Sequence, residues 1–259
     1  MTERAKIFQG LKAPLIAAGV VFAATIIVSA PLSFVSAFID FEKQGVAYSG
    51  VHGTIWRGGF SDLSVRGAPL GDVSFRLAPL SLLRAAPSVS FKAQGGAING
   101  EGRISAGPGQ KLTLENVAAD IRLGAIAPRG VFGEPARGIA KVDIKRIAFS
   151  RAKGCRAAEG DLWTDVLDAP AKRFNLPAMP MAGGVACEDG RLVVSLAGAN
   201  VKADAEVVLR IDRTLAYEIT ATARPEEEGI ASALRGFGFE DDNGALIYGS
   251  AGVFKGTGS

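Results

Sequence analysis

The chain is 259 residues long, enough for one large domain or two small ones with a real core. Its 33 glycines, about 13% against a usual 7%, and its 12 prolines exclude an all-helical protein, while 48% hydrophobic and 21% charged residues exclude a disordered one. One histidine and two cysteines are too few for most zinc sites and for metalloprotease motifs, whereas the net charge of +3 admits a nucleic-acid partner until its distribution is considered.

Arg4, Lys6 and Lys12 against Glu3 make residues 1–12 a short basic tail. From Ala13 to Ile39 no charge occurs, a run of 27 residues. About 20 apolar residues cross a bilayer core, and backbone groups in lipid must pair within the segment, so the run predicts a transmembrane helix over residues 13–39. Basic residues precede it, and Asp40 and Glu42 follow it. That order places the tail in the cytoplasm and translocates residues 40–259, in a bacterium to the periplasm. The length of the run points to an uncleaved signal anchor. The other reading is a cleavable signal peptide, with Val35-Ser36-Ala37 as the cleavage site. Residues 40–259 hold 26 basic and 25 acidic side chains. A nearly neutral exported domain removes the case for nucleic acid.

Beyond residue 40 the dominant period is two. Leu63 and Val65 alternate with Asp62, Ser64 and Arg66, and Val73, Phe75 and Leu77 with Asp72, Ser74 and Arg76. Pro79–Arg84 predicts one or two helical turns that stop before Pro87. Ala140, Val142 and Ile144 alternate with charged residues until the parity flips at Arg146, which predicts a β-bulge. Pro170–Pro180 reads as a loop within one domain. Asp189-Gly190 predicts a hairpin turn ahead of Leu192, Val194 and Leu196. The alternation over Val201–Asp212 predicts a strand with one wet face, paired as a hairpin with the run Leu215, Tyr217, Ile219 and Ala221. Proline and glutamates at one end, arginine and glycine at the other, predict a helix over residues 225–236. The fold class that emerges is mainly β: an antiparallel meander or sandwich-like domain with one or two short helices and with glycines at its turns.

Catalytic, metal and cofactor signatures are absent. His52 sits among glycines with no partner spaced near it and reads as a turn or surface histidine. Glu240-Asp241-Asp242-Asn243-Gly244 lacks the ligand spacing of a calcium loop and reads as a solvated turn. Gly249-Ser250-Ala251-Gly252 is not a nucleophile elbow, and no G-K-[ST] phosphate loop is present. In an oxidising compartment, two cysteines without a third predict one structural disulfide, Cys155 to Cys187.

Three stretches make the sequence similar to the type II secretion system protein N family. The first is Gly53-Thr54-Ile55-Trp56-Arg57-Gly58, matching G-T-[apolar]-W-x-G. The second runs from Leu70 through Gly71, Phe75, Leu77 and Pro79 to Leu83, and resembles L-G-x-[apolar]-x-W-x-L-x-P-L-x-L-L with Phe75 in the aromatic position. The third is Gly184–Leu192 around Cys187, paired with the earlier Cys155. None is a catalytic signature: Gly53, Thr54, Trp56, Gly71, Phe75, Leu77 and Pro79 read as tight turns and core anchors.

The resemblance implies a cytoplasmic head (1–12), one inner-membrane span (13–39) and a periplasmic β-domain (40–259). It implies a non-enzymatic accessory component in the export of folded periplasmic proteins across the outer membrane, without cofactors. Its partners would be inner-membrane platform subunits, the outer-membrane secretin, or both. The alternative is a periplasmic lipid- or hydrophobe-binding envelope protein, similar to the AsmA-like proteins, whose apolar sheet face lines an open groove instead of closing into a core.

Overall fold

The computed structural model of the chain describes Thr25 and residues 29–126, 137–173 and 175–253. The basic tail 1–12 and most of the apolar run 13–39 lie outside these residues. Among the described residues no helix is long and apolar enough to cross a membrane.

The strands in chain order are β1 (Val46–Ala47), β2 (Gly50–Gly53), β3 (Arg57–Val65), β4 (Ala68–Leu77), β5 (Ser88–Gly95), β6 (Ile98–Gly107), β7 (Lys111–Arg122) and β8 (Ile139–Ser150). They continue with β9 (Gly154–Thr164), β10 (Met181–Glu188), β11 (Arg191–Asn200), β12 (Ala203–Ile211), β13 (Ala216–Pro225), β14 (Glu240–Asp242) and β15 (Ala245–Val253). The helices are α1 (Leu32–Ser36), α2 (Pro79–Leu83), α3 (Leu123–Ile126), α4 (Asp168–Arg173) and α5 (Glu228–Gly236).

All 15 strands join one sheet in the order β1-β3-β4 and onward to β13-β15-β14, with β2 beside β3. Every pairing is antiparallel, and from β3 to β13 each strand pairs with its neighbours in sequence. This is a meander. It corrects the sandwich-like expectation, because among the described residues all strands belong to one sheet. Alternation states which side of a strand is apolar and is silent on what covers that side.

Local chemistry sets the register. Arg66-Gly67, Asp189-Gly190 and Asn243-Gly244 are two-residue turns with positive φ at both positions, whose twist matches that of the flanking strands. The parity flip is a real bulge: Ile144 pairs with Gly160 and Arg146 with Glu159, so Lys145 is the extra residue.

Cross-strand pairs carry one apolar face across the sheet. It runs through Val73↔Ala93, Val142↔Leu162, Val185↔Val194, Leu196↔Val207 and Leu209↔Ile219. Glycines recur inside strands on this face, which extends their expected role beyond turns. A methyl on Gly102 would meet the Phe91 ring and Val117, one on Gly160 would meet Ile144, and one on Gly198 would meet Met181. The large neighbour lies over the bare backbone and fills the space.

Helices seal the two ends of this face. At one end Leu32 of α1 is buried and approaches Gly58, while the rings of Phe41, Tyr48 and Phe60 meet edge to face at 5.3–5.9 Å. At the other end α5 contributes Ala231 and Leu234 to a cluster with Ala223, Phe239, Leu246 and Tyr248. Between the ends, Val73, Val117, Val142, Leu162, Val194 and Leu209 are only half-buried.

Several boundaries differ from the sequence reading. The helix expected over 225–236 starts at Glu228, because Pro225 completes the β13 ladder opposite Ala203. β12 starts at Ala203 because the Asn200 side-chain oxygen accepts the N–H groups of Lys202 and Ala203, drawing Val201 into the turn. The expected Pro170–Pro180 loop opens with α4, where Pro170 occupies the first turn and so removes no helical hydrogen bond. With α1 and α3 also present, the helices exceed the one or two expected.

Candidate interaction surfaces

The motif residues gather at one corner of the sheet. Gly53, Thr54 and Trp56 form the turn between β2 and β3. The Thr54 N–H donates to the Arg57 carbonyl (2.9 Å), and the Thr54 hydroxyl oxygen accepts the N–H groups of Trp56 and Arg57 (both 3.3 Å). The Trp56 carbonyl then accepts the Leu77 N–H at 2.8 Å, which ties this turn to the end of β4. Pro79 opens α2, where a missing N–H costs nothing. Phe75 pairs with Phe91 and Gly58, and its ring centroid lies 6.4 Å from that of Phe60. Trp56 and Phe75 are half-buried. Gly71 lies at the β3–β4 bulge with φ +77°, and a Cβ there would strike the Gln94 carbonyl oxygen and the Gly96 nitrogen.

Cys155 and Cys187 form a disulfide, with Cα atoms 5.5 Å apart and Cys155 buried. The β9–β10 ladder runs only from Met181↔Thr164 to Gly184↔Asp161. The disulfide therefore fastens the two strands beyond the last paired residues, helped by the Cys155 N–H donating to the Gly190 carbonyl (2.8 Å).

The sheet's two edges differ. The outer side of β2 is met by α1 and by a bridge from Pro31 to Thr54. At the far edge β14 covers only Ala245, Leu246 and Ile247 of β15. Among the described residues nothing pairs with the outer side of β15 from Tyr248 to Val253. This stretch, Tyr248-Gly249-Ser250-Ala251-Gly252-Val253, has neither charge nor proline. It therefore lacks the usual protections of an exposed edge.

The polar face carries an open depression of about 860 Å³ over β6–β10. Asp120, Lys141, Asp143, Asp161 and Trp163 line it, and the Lys141 ammonium stands 5.5 Å from the Trp163 ring centroid. Asp143 and Asp161 are direct cross-strand partners, and lysines flank them on β8. A hydrogen bond to Glu159 (2.8 Å) raises the pKa of Lys145. The pattern is a solvated surface of alternating charge.

His52 lies on β2 opposite Gly59, its ring over that glycine. Asp241 of the acidic run at β14 is ion-paired: Arg235 donates to it (2.8 and 3.2 Å) and also to Glu228 of α5 (2.6 Å). The Arg235 hydrogen bond holds Asp241 below its ordinary 3.8, and the same contacts raise Arg235. Asp212, which caps the β12–β13 turn, is lowered chiefly by the Thr214 hydroxyl donating to it (2.7 Å). Among the described residues no group of three His, Cys, Asp or Glu side chains is placed to hold a metal. Sequence reasoning missed the free β15 edge. Its only signal was a short uncharged strand at the end of the alternating runs.

A family model described as "Type II secretion system (T2SS), protein N" matches residues 44–247, from just before β1 to within β15. No curated protein and no solved structure matches the chain.

Proposed function

The chain belongs to the type II secretion system protein N family, and on that premise we propose that it is a non-enzymatic accessory component of the secretion machine. The apolar run anchors it in the inner membrane through the residues ahead of Ala30, where the run begins to bond to the sheet, with residues 1–12 in the cytoplasm and the sheet-bearing remainder as its periplasmic domain. The sheet acts mechanically, holding a neighbouring component against it. One observation carries this reading: the unpaired, uncharged edge of β15 from Tyr248 to Val253. An extended segment of a platform subunit or of the secretin adds there as a further strand, with main-chain hydrogen bonds for affinity and side-chain alternation for register. Pull-down of the tagged full chain should recover platform subunits or secretin, and lysines at Ala251 and Val253 should reduce that recovery. Recovery of neither, together with unchanged secretion in a deletion strain, overturns the proposal. Retention in the membrane pellet after alkaline carbonate extraction tests the anchor by itself.

A second reading has its own observation. Between the capped ends, much of the apolar face is half-buried, with Ala93, Ile144 and Met181 buried among residues such as Val73, Val142 and Leu162 that are not. A lipid or another hydrophobe bound along that face would complete its burial. Native mass spectrometry of the detergent-purified chain separates the two: co-purifying lipid supports the groove, and clean apo protein argues against it.

A further inference from the structure

The corner that carries the motifs also carries exposed apolar surface that the sheet does not use. Helix α2 contains three leucines and buries none of its residues: Leu80 is 72% exposed, Leu82 43% and Leu83 84%. A short surface helix normally turns its leucines inward. The reason for the inversion lies in what adjoins it. The uncharged run 13–39 reaches the sheet at this corner, where the Ala30 carbonyl accepts the Ile55 N–H (3.2 Å) and Pro31 bridges to Thr54. The next residue, Trp56, is bonded to Leu77, two positions before α2. Helix α2 thus begins within about 15 Å of the point where the apolar run meets the sheet, given about 3.8 Å per residue. The charges fit the same neighbour. Arg84 directly follows the leucines and Arg57 follows Trp56, both are exposed, and no acidic residue occurs from Val73 to Gly100 or from Ser49 to Ser61.

The geometry points to α2 as a membrane-contact element: Leu80, Leu82 and Leu83 insert into the outer boundary of the bilayer that holds the apolar run ahead of Ala30, and Arg57 and Arg84 bind its anionic headgroups. An apolar helical face with flanking basic residues is the arrangement that lies in a lipid interface. The contact fixes the β3–β4 end of the strand order against the membrane, and the free β15 edge belongs to the opposite end of that order. The inference rests on the anchoring proposed above.

The test uses the full chain reconstituted in phosphatidylethanolamine/phosphatidylglycerol vesicles containing brominated lipid. A single nitrobenzoxadiazole label is placed at Leu83→Cys or, as control, at Val201→Cys, a 76% exposed position in the β11–β12 turn at the opposite ends of the strands. The native cysteines are joined to each other and leave the label one target. Quenching at position 83 should exceed that at position 201 by at least about threefold, and Leu80→Asp should reduce it, as expected for an interfacial helix. A chain that floats with the vesicles but shows equal weak quenching at both positions overturns the contact and leaves the anchor standing. A chain that does not float overturns both. A benzophenone placed on the same Leu83→Cys and photolysed in native membranes should link to lipid; capture of a secretion component instead overturns the lipid assignment in favour of a protein partner.

Discussion

Replacing Cys155 and Cys187 together with alanine removes the one covalent link in the sheet and leaves its hydrogen-bond ladders untouched. The sequence separation is 32 residues. Closing a loop of that size removes about 12 cal/mol/K of entropy from the unfolded chain, or about 3.7 kcal/mol at 25 °C. For a chain of this size, whose urea dependence is near the top of the usual range of about 1–3 kcal/mol/M, the midpoint should fall by about 1–2 M. Trp163 lies on β9 and is partly exposed, so in a Trp56→Phe background the fluorescence reports the strand that the disulfide holds. The measurement is urea unfolding of the oxidised protein, the protein with dithiothreitol, and the alanine pair. Reduction and substitution should give nearly the same shift, with a small extra loss in the variant from the packing around buried Cys155. A shift below about 0.3 M in both would refute the reasoning. It would mean that the ends of β9 and β10 stay together without the link, or that the unfolded chain already holds the two cysteines close.

Three further outcomes test the packing and the electrostatics. Gly71→Ala should destabilise by about 2–4 kcal/mol, since its φ of +77° strains an L side chain and its Cβ strikes backbone, whereas Gly67→Ala, at φ +80° with open space around it, should cost only about 1 kcal/mol; equal losses in chemical denaturation would discount the clash. Leu246→Ala should cost about 2–4 kcal/mol and raise hydrogen exchange in α5, because Leu246 packs with Ala231 and Phe239, and an unchanged α5 would disconnect the helix from the sheet. The Asp241 carboxyl is lowered by Arg235, so the clamp on α5 is fully present above the ordinary 3.8 and is lost as pH falls through the lower folded value; α5 amides should exchange with a larger low-pH increase in wild type than in Arg235→Met, and identical pH profiles would count against it.

Much of the strand content was legible because a half-buried strand writes its environment into alternate residues. The Val73–Leu77 and Ala140–Ile144 runs fall within β4 and β8, and the parity flip at Arg146 marks the Lys145 bulge. Asp189-Gly190 turns where its chemistry demands. Helices α3 and α4 were not legible, since four and six residues are too few to display a 3.6-residue period, and Pro170 disguised the second. A glycine inside a strand looks like a turn residue in the sequence, where its cross-strand partner is hidden: only the register puts the Phe91 ring over Gly102. The corner built by Gly53, Thr54, Trp56, Leu77 and Pro79 was visible as two separate motifs, and the Trp56–Leu77 hydrogen bond joins them.

The sequence by itself determined the period-two elements, the turns and the uncharged run ahead of the domain, because each is set by neighbours along the chain. The tertiary structure decided that, among the described residues, the strands form one sheet, that helices cover its apolar face at both ends, and that β15 keeps a free edge while β2 does not. These depend on which strand pairs with which and on what lies over a face. Alternation is identical for a strand in a sandwich, in a closed barrel or in an open sheet, and so carries no information about its partner.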